Sequence, residues 1–82
     1  MDRNFAGKLD DNRMKFQDRL NQLMKEKDMT MKALEIESGL SHYCVYSNVH
    51  GQAKSPDAYT LEKMADALGV SMDWLWGRTD KR

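Results

Sequence analysis

The sequence predicts an all-α domain of five short helices, and three observations carry that expectation. Apolar residues recur at helical spacing in one stretch after another. A glycine or a short polar group separates the stretches, with a capping residue ahead of several of them. No segment shows the strict alternation of a half-buried strand. One proline and five glycines in 82 residues leave few forced breaks, and no internal repeat is present. A chain of this length forms one domain and buries about 60% of its unfolded surface.

Residues 1–12 (MDRNFAGKLDDN) show no sustained period. Phe5 and Leu9 make one turn at most, so the segment reads as an N-terminal arm. From Arg13 to Lys27 the apolar positions are Phe16, Leu20, Leu23 and Met24, one stripe of an amphipathic helix. Asp11 or Asn12 is placed to cap it, and Arg13, Lys15, Arg19 and Lys25 form its polar face. A second helix is expected from Met31 to Ser38 after Thr30, with Ala33, Leu34 and Ser38 inward. Gly39 ends it, where a left-handed residue belongs. Ser41 caps a third helix, His42 to His50, with Val45 and Val49 inward, and Gly51 closes it. Gln52 to Pro56 is a polar loop, and Asp57 caps a helix with the stripe Leu61, Met64, Ala65 and Leu68 that Gly69 terminates. Val70 and Ser71 lead into a last short helix, Met72 to Trp76, stopped by Gly77. Residues 78–82 read as a polar tail, which leaves 13–77 as the folded domain.

The informative stretch is Thr30 to Gly51: a helix of about two turns, a Gly39-Leu40-Ser41 turn, and a second capped helix. That is a helix-turn-helix. Gly39 permits a sharp turn where a Cβ would be strained. Leu40 plugs the angle, and Leu34 and Val45 pack across it. The second helix is then free to project its other face, and a bare helix fits the major groove of DNA.

Residues 16–77 resemble the Cro and phage-repressor type of helix-turn-helix regulator, the xenobiotic-response-element family. The resemblance rests on Thr30-Met31-Lys32-Ala33-Leu34, Ser38-Gly39-Leu40-Ser41, Gly51 with Lys54-Ser55-Pro56, and the run from Leu61 to Ser71. The ending Met72-Asp73-Trp74-Leu75-Trp76-Gly77 also fits. It implies a five-helix lambda-repressor-like DNA-binding domain. It also implies a role for each matching position. The helix starting at Met31 and Lys32 would cross the DNA backbone, its first amides toward a phosphate. The helix after Ser41 would enter the major groove, with His42, Tyr43, Tyr46 and Ser47 at base edges or flanking phosphates, and Ser41 at a phosphate. Gln52 and Lys54 would lie against the backbone. Trp74 and Trp76 share a terminal helix too short to bury both easily, and exposed aromatics are enriched at interfaces. Because the resemblance implies dimerisation through this region, Trp74, Leu75 and Trp76 are the expected contacts of a homodimer on a two-fold-symmetric site.

Four departures from the family pattern stand out. Met31 replaces a frequent glutamine, Glu35 an alanine at a tight point between the two helices, and Asn48 an apolar residue. The reading helix also contains no Lys or Arg, so the common arginine-to-guanine contact is missing. The formal net charge is zero, which is unusual for a ligand whose phosphates supply much of the affinity. Its distribution is uneven: residues 13–28 carry five basic and three acidic side chains, residues 57–73 one basic and four acidic.

Other chemistries are poorly supported. No phosphate-cradling glycine loop and no Ser/His/Asp set at credible spacing is present, so no enzyme, cofactor or small-molecule substrate is expected. His42 and His50 flank Cys44, but i and i+8 on one helix lie about 12 Å apart, too far to share one metal ion. A single cysteine excludes an intramolecular disulfide, and no apolar run approaches the roughly 18 residues of a membrane span, so a cytoplasmic protein is expected. The alternative function is a protein-interaction module, such as an antitoxin or a helix-turn-helix domain that has lost DNA reading.

Overall fold

The computed structural model describes the backbone of residues 3–52 and 56–82, and the side chains from residue 15 onward within those spans. Among the described residues there are five helices: α1 (Arg3–Glu26), α2 (Met31–Ser38), α3 (His42–Val49), α4 (Ala58–Leu68) and α5 (Met72–Trp76). No strand occurs among the described residues.

Local chemistry sets most boundaries. Thr30, Ser41, Asp57 and Ser71 are all extended and each accepts an N–H from three residues on: Ala33 at 3.1 Å, Cys44 at 3.2 Å, Thr60 at 2.8 Å and Trp74 at 3.0 Å. Such caps satisfy donors that the helix itself leaves open. The bond from the Thr60 N–H, the larger cause, holds the Asp57 carboxyl below its ordinary range. At the other end of α2, Gly39 has φ 74°, a left-handed conformation that costs an L-residue energy.

One boundary departs from expectation. The segment read as an N-terminal arm is helical from Arg3, and Asp11 and Asn12 lie inside α1 instead of capping it. Once a helix is nucleated, each further residue adds a hydrogen bond at little cost, and no proline stands in residues 3–26 to stop it. Weak apolar periodicity is therefore a poor guide to where this helix starts. Its other end turns through Asp28 (φ 53°), with the Met29 N–H returning to the Met24 carbonyl at 2.8 Å.

The core is one cluster: Phe16, Leu20, Leu23 and Met24 from α1, Leu34 from α2, Val45 and Val49 from α3, Met64, Ala65 and Leu68 from α4, and Trp74 and Leu75 from α5. The expected inward positions of α1, α3 and α4 are nearly all here, with Leu61 packed at its edge. Leu34 and Val45 have no exposed surface, and Leu40 packs against the core cluster from the turn. α2 packs on α3 and α4, α5 on α1 and α4, and α1 on α3.

The C-terminal end corrects two further expectations. Trp74 is 5% exposed and Leu75 fully covered, so both belong to the core of the single chain, and only Trp76 is half-buried. A short helix buries them because residues 78–82 do not trail away as a polar tail. Arg19 donates to the Trp74 and Thr79 carbonyls and pairs with Asp80 at 2.8 Å. The Arg82 guanidinium reaches Glu26 with two bonds of 3.0 and 2.9 Å. Both guanidinium groups lie over the Trp74 ring, at 4.6 and 4.7 Å from its centroid. Trp76 instead pairs with Phe16, ring centroids 6.1 Å apart. Among the described residues no helix is long and apolar enough to cross a membrane.

Candidate nucleic-acid interface

The turn between α2 and α3 is closed by its own side chains. The Gly39 N–H returns to the Glu35 carbonyl at 2.9 Å. Ser38, buried, donates its hydroxyl to the Leu34 carbonyl at 2.6 Å and accepts the Leu40 N–H at 3.2 Å. The Gly39 and Leu40 N–H groups are thereby used, which helps set the angle of α3 against α2. α3 is also held at its far end. Gln17 and Asn21 of α1 donate to the Val49 carbonyl at 3.3 and 3.1 Å, meeting an acceptor that α3 cannot satisfy. Gly51 (φ 71°) follows, and a Cβ there would meet the Gln17 amide at 2.7 Å.

So anchored, α3 presents one strip to solvent. At 100° per residue, His42, Tyr46, His50 and Tyr43 fall within an arc of about 100°. All four are exposed, Tyr43 to 77%. Three of them form a ladder at i, i+4 and i+8. The His42 and Tyr46 ring centroids are 5.9 Å apart, and those of Tyr46 and His50 4.3 Å. In the sequence His50 stands out only beside Cys44, as a candidate metal ligand. The 42/46/50 spacing was the signal that could have placed it on this strip.

Ser47 is not on the strip. It is 4% exposed, and its hydroxyl donates to the Cys44 carbonyl at 3.2 Å. The expectation placed it one turn beyond Tyr43, but four residues advance 400°, a drift of about 40°. That drift carries Ser47 past the edge of the exposed arc into the packed side. Asn48, where the family pattern has an apolar residue, is buried next to it. Its amide donates to the Cys44 carbonyl at 2.7 Å, so the polar group is not orphaned. Cys44 is half-buried, its Sγ 3.7 Å from the Thr60 hydroxyl of α4.

The remaining positions divide as follows. Lys32 and Gln52 are exposed at the two ends of the motif. Ser41 is exposed, its hydroxyl engaged with the Cys44 N–H. The Met31 side chain packs against the core, so this residue offers a partner only its backbone N–H, which the first turn of a helix leaves outside the ladder. Lys54 lies outside the described residues. Trp74 and Leu75 are spent on the interior, as described above. Glu35, noted in the sequence only as a departure, is part of the site: its Oε2 is 2.7 Å from Nδ1 of His42.

The electrostatics are unusual for a polyanion-binding surface. Between residues 30 and 52 Lys32 is the only Lys or Arg, against Glu35 and Glu37. What the strip offers is aromatic area for thymine methyl groups and ring or hydroxyl groups for base edges.

No curated protein and no solved structure matches the chain. The family model of the Cro/C1-type HTH DNA-binding domain matches residues 19–78, well over half of the 82 residues. That span begins inside α1 and closes just after α5, so it takes in the whole two-helix motif and the helices that pack behind it. A five-helix fold, a capped α3 held at both ends and this match together place the chain in the family of Cro/C1-type helix-turn-helix DNA-binding domains.

Proposed function

We propose that this DNA-binding domain is a sequence-specific transcriptional regulator of the repressor kind, acting in the cytoplasm on a two-fold-symmetric operator. The observation that carries the reading is the strip of α3, where His42, Tyr43, Tyr46 and His50 are exposed on a helix fixed at both ends. Reading falls to these side chains, and positioning to Ser41, Lys32, Gln52, Lys54 and the amides at the start of α2. The operator is bound as a homodimer, because a strip without Lys or Arg gives one copy little affinity and a second half-site restores it. α5 supplies the contact through Met72, 36% exposed, and the half-buried Trp76.

A second reading, a helix-turn-helix that binds another protein, is favoured by one observation. Ile36 on α2 is 71% exposed, close in sequence to two glutamates, a combination suited to a protein surface more than to phosphates. Titration of labelled duplexes by anisotropy at two salt concentrations separates the two. The DNA reading requires tighter binding to a selected site than to random duplex, with affinity falling as salt rises. Absence of any duplex binding below about 10 μM at low salt would exclude it, since even non-specific binding appears in that range. Sedimentation tests assembly. A dimer that Met72→Glu dissociates is the expected result, and a monomer at every concentration removes the dimer.

A further inference from the structure

Glu35 lies on α2, which packs against α3, and its carboxylate meets the first residue of that helix. Its Oε2 is 2.7 Å from Nδ1 of His42, the first residue of α3. The Glu35 side chain is 16% exposed and that of His42 69%, so the carboxylate is tucked under a ring that faces outward. The Tyr46 ring flanks the same imidazole at 5.9 Å.

An ionised carboxylate only accepts hydrogen bonds, so the Glu35 contact requires the proton on Nδ1. In a neutral imidazole the other nitrogen is then a bare acceptor. We propose that Glu35 is a positioning residue that sets the tautomer of His42, so that Nε2 stands at the head of α3 as a hydrogen-bond acceptor and asks for a donor on the base edge. In the major groove those donors are the N6 amino group of adenine and the N4 amino group of cytosine. Guanine and thymine present only acceptors there. This rests on the DNA reading of α3 proposed above. It also accounts for a charged residue where the family pattern has alanine: Glu35 fixes which hydrogen bond His42 makes, at the cost of a negative charge near the phosphates.

The test uses the full chain at about pH 8, where histidine rings are ordinarily neutral, with Glu35→Gln and Glu35→Ala. Glutamine keeps the size of the side chain but can donate as well as accept, so it no longer dictates the tautomer. Selection from random duplexes should give the wild type one position per half-site with adenine or cytosine preferred over guanine by roughly three- to tenfold, the worth of one hydrogen bond. Both variants should lose that preference and keep the rest of the site. Ring 15N shifts of free protein should show His42 protonated on Nδ1 in the wild type and a tautomer mixture in Glu35→Gln. Circular dichroism checks that each variant is folded. A selected site unchanged at every position in Glu35→Gln overturns the inference and leaves the DNA reading standing. A wild-type ring protonated on Nε2 also overturns it. If the wild type selects no sequence at all, the DNA reading fails and the base preference fails with it.

Discussion

Tyr43 and Ser47 are one turn apart on α3, yet the structure gives them opposite fates, and their alanine variants should separate reading from folding. Tyr43 is 77% exposed with its ring on the outward strip. Tyr43→Ala should cost about 1–3 kcal/mol on the selected operator, roughly 5- to 150-fold, and little on random duplex, with stability unchanged. Ser47 is 4% exposed and gives one hydrogen bond to the Cys44 carbonyl at 3.2 Å. Removing its hydroxyl does not orphan that carbonyl, which keeps the Asn48 amide at 2.7 Å. Ser47→Ala should therefore cost at most about 0.5–1.5 kcal/mol of stability, the ordinary worth of one hydrogen bond. In a domain of this size that lowers Tm by several degrees. Its operator-to-random affinity ratio should match the wild type. Anisotropy on operator and random duplexes of equal length, at one fixed salt concentration, measures the first quantity, and urea denaturation the second. Loss of operator preference in Ser47→Ala as severe as in Tyr43→Ala, with its urea midpoint in place, would show that Ser47 reads bases after all. Equal weakening of both duplexes by Tyr43→Ala would show that Tyr43 does not.

Two further outcomes follow from the packing and the charges. Leu34 is fully covered where α2 meets the core, so Leu34→Ala should cost about 2–5 kcal/mol, a large share of the stability of a small domain; a urea midpoint within error of the wild type would contradict that placement. Hydrogen bonds from Arg82 first, and then Gln22, pull the Glu26 carboxyl down from 4.5 to about 2. A carboxyl depressed on folding contributes stability that is present above its unfolded value and is lost as pH falls toward the folded one. Glu26→Gln should therefore flatten the stability curve between about pH 4.5 and 2, matching the wild type at the acid end and lying slightly below it at neutral pH, a small loss because an exposed pair is well screened; an identical acid limb in the variant would show that the contact does not form.

The helices whose limits are chemical and local are legible from the residues alone. Thr30, Ser41, Asp57 and Ser71 each carry the oxygen that a helix start needs, and Gly39, Gly69 and Gly77 the freedom that a helix end needs. The stripes Phe16-Leu20-Leu23-Met24 and Met64-Ala65-Leu68 likewise announced the core, because burial of a helix face repeats with the helix period. The order of motifs pointed to the family. Which polar groups go inside, and which aromatic ones do, follows instead from how the helices pack. Ser38, Ser47 and Asn48 are buried because each finds a backbone carbonyl within its own helix, a partner that no apolar pattern records. Trp74 is buried because Arg19, 55 residues earlier, and Arg82, eight residues on, close over its ring, and Leu75 beside it is fully covered. The extent of the reading face was decided the same way. Periodicity marked Val45 and Val49 as inward, but the edge of the strip depends on what packs beside it, and that excluded Ser47 and admitted His50. Glu35 is the sharpest case. It was one unexplained charge in the sequence, and it acquires a role only when the turn at Gly39 brings α2 and α3 together and sets its carboxylate against His42, seven residues further along the chain.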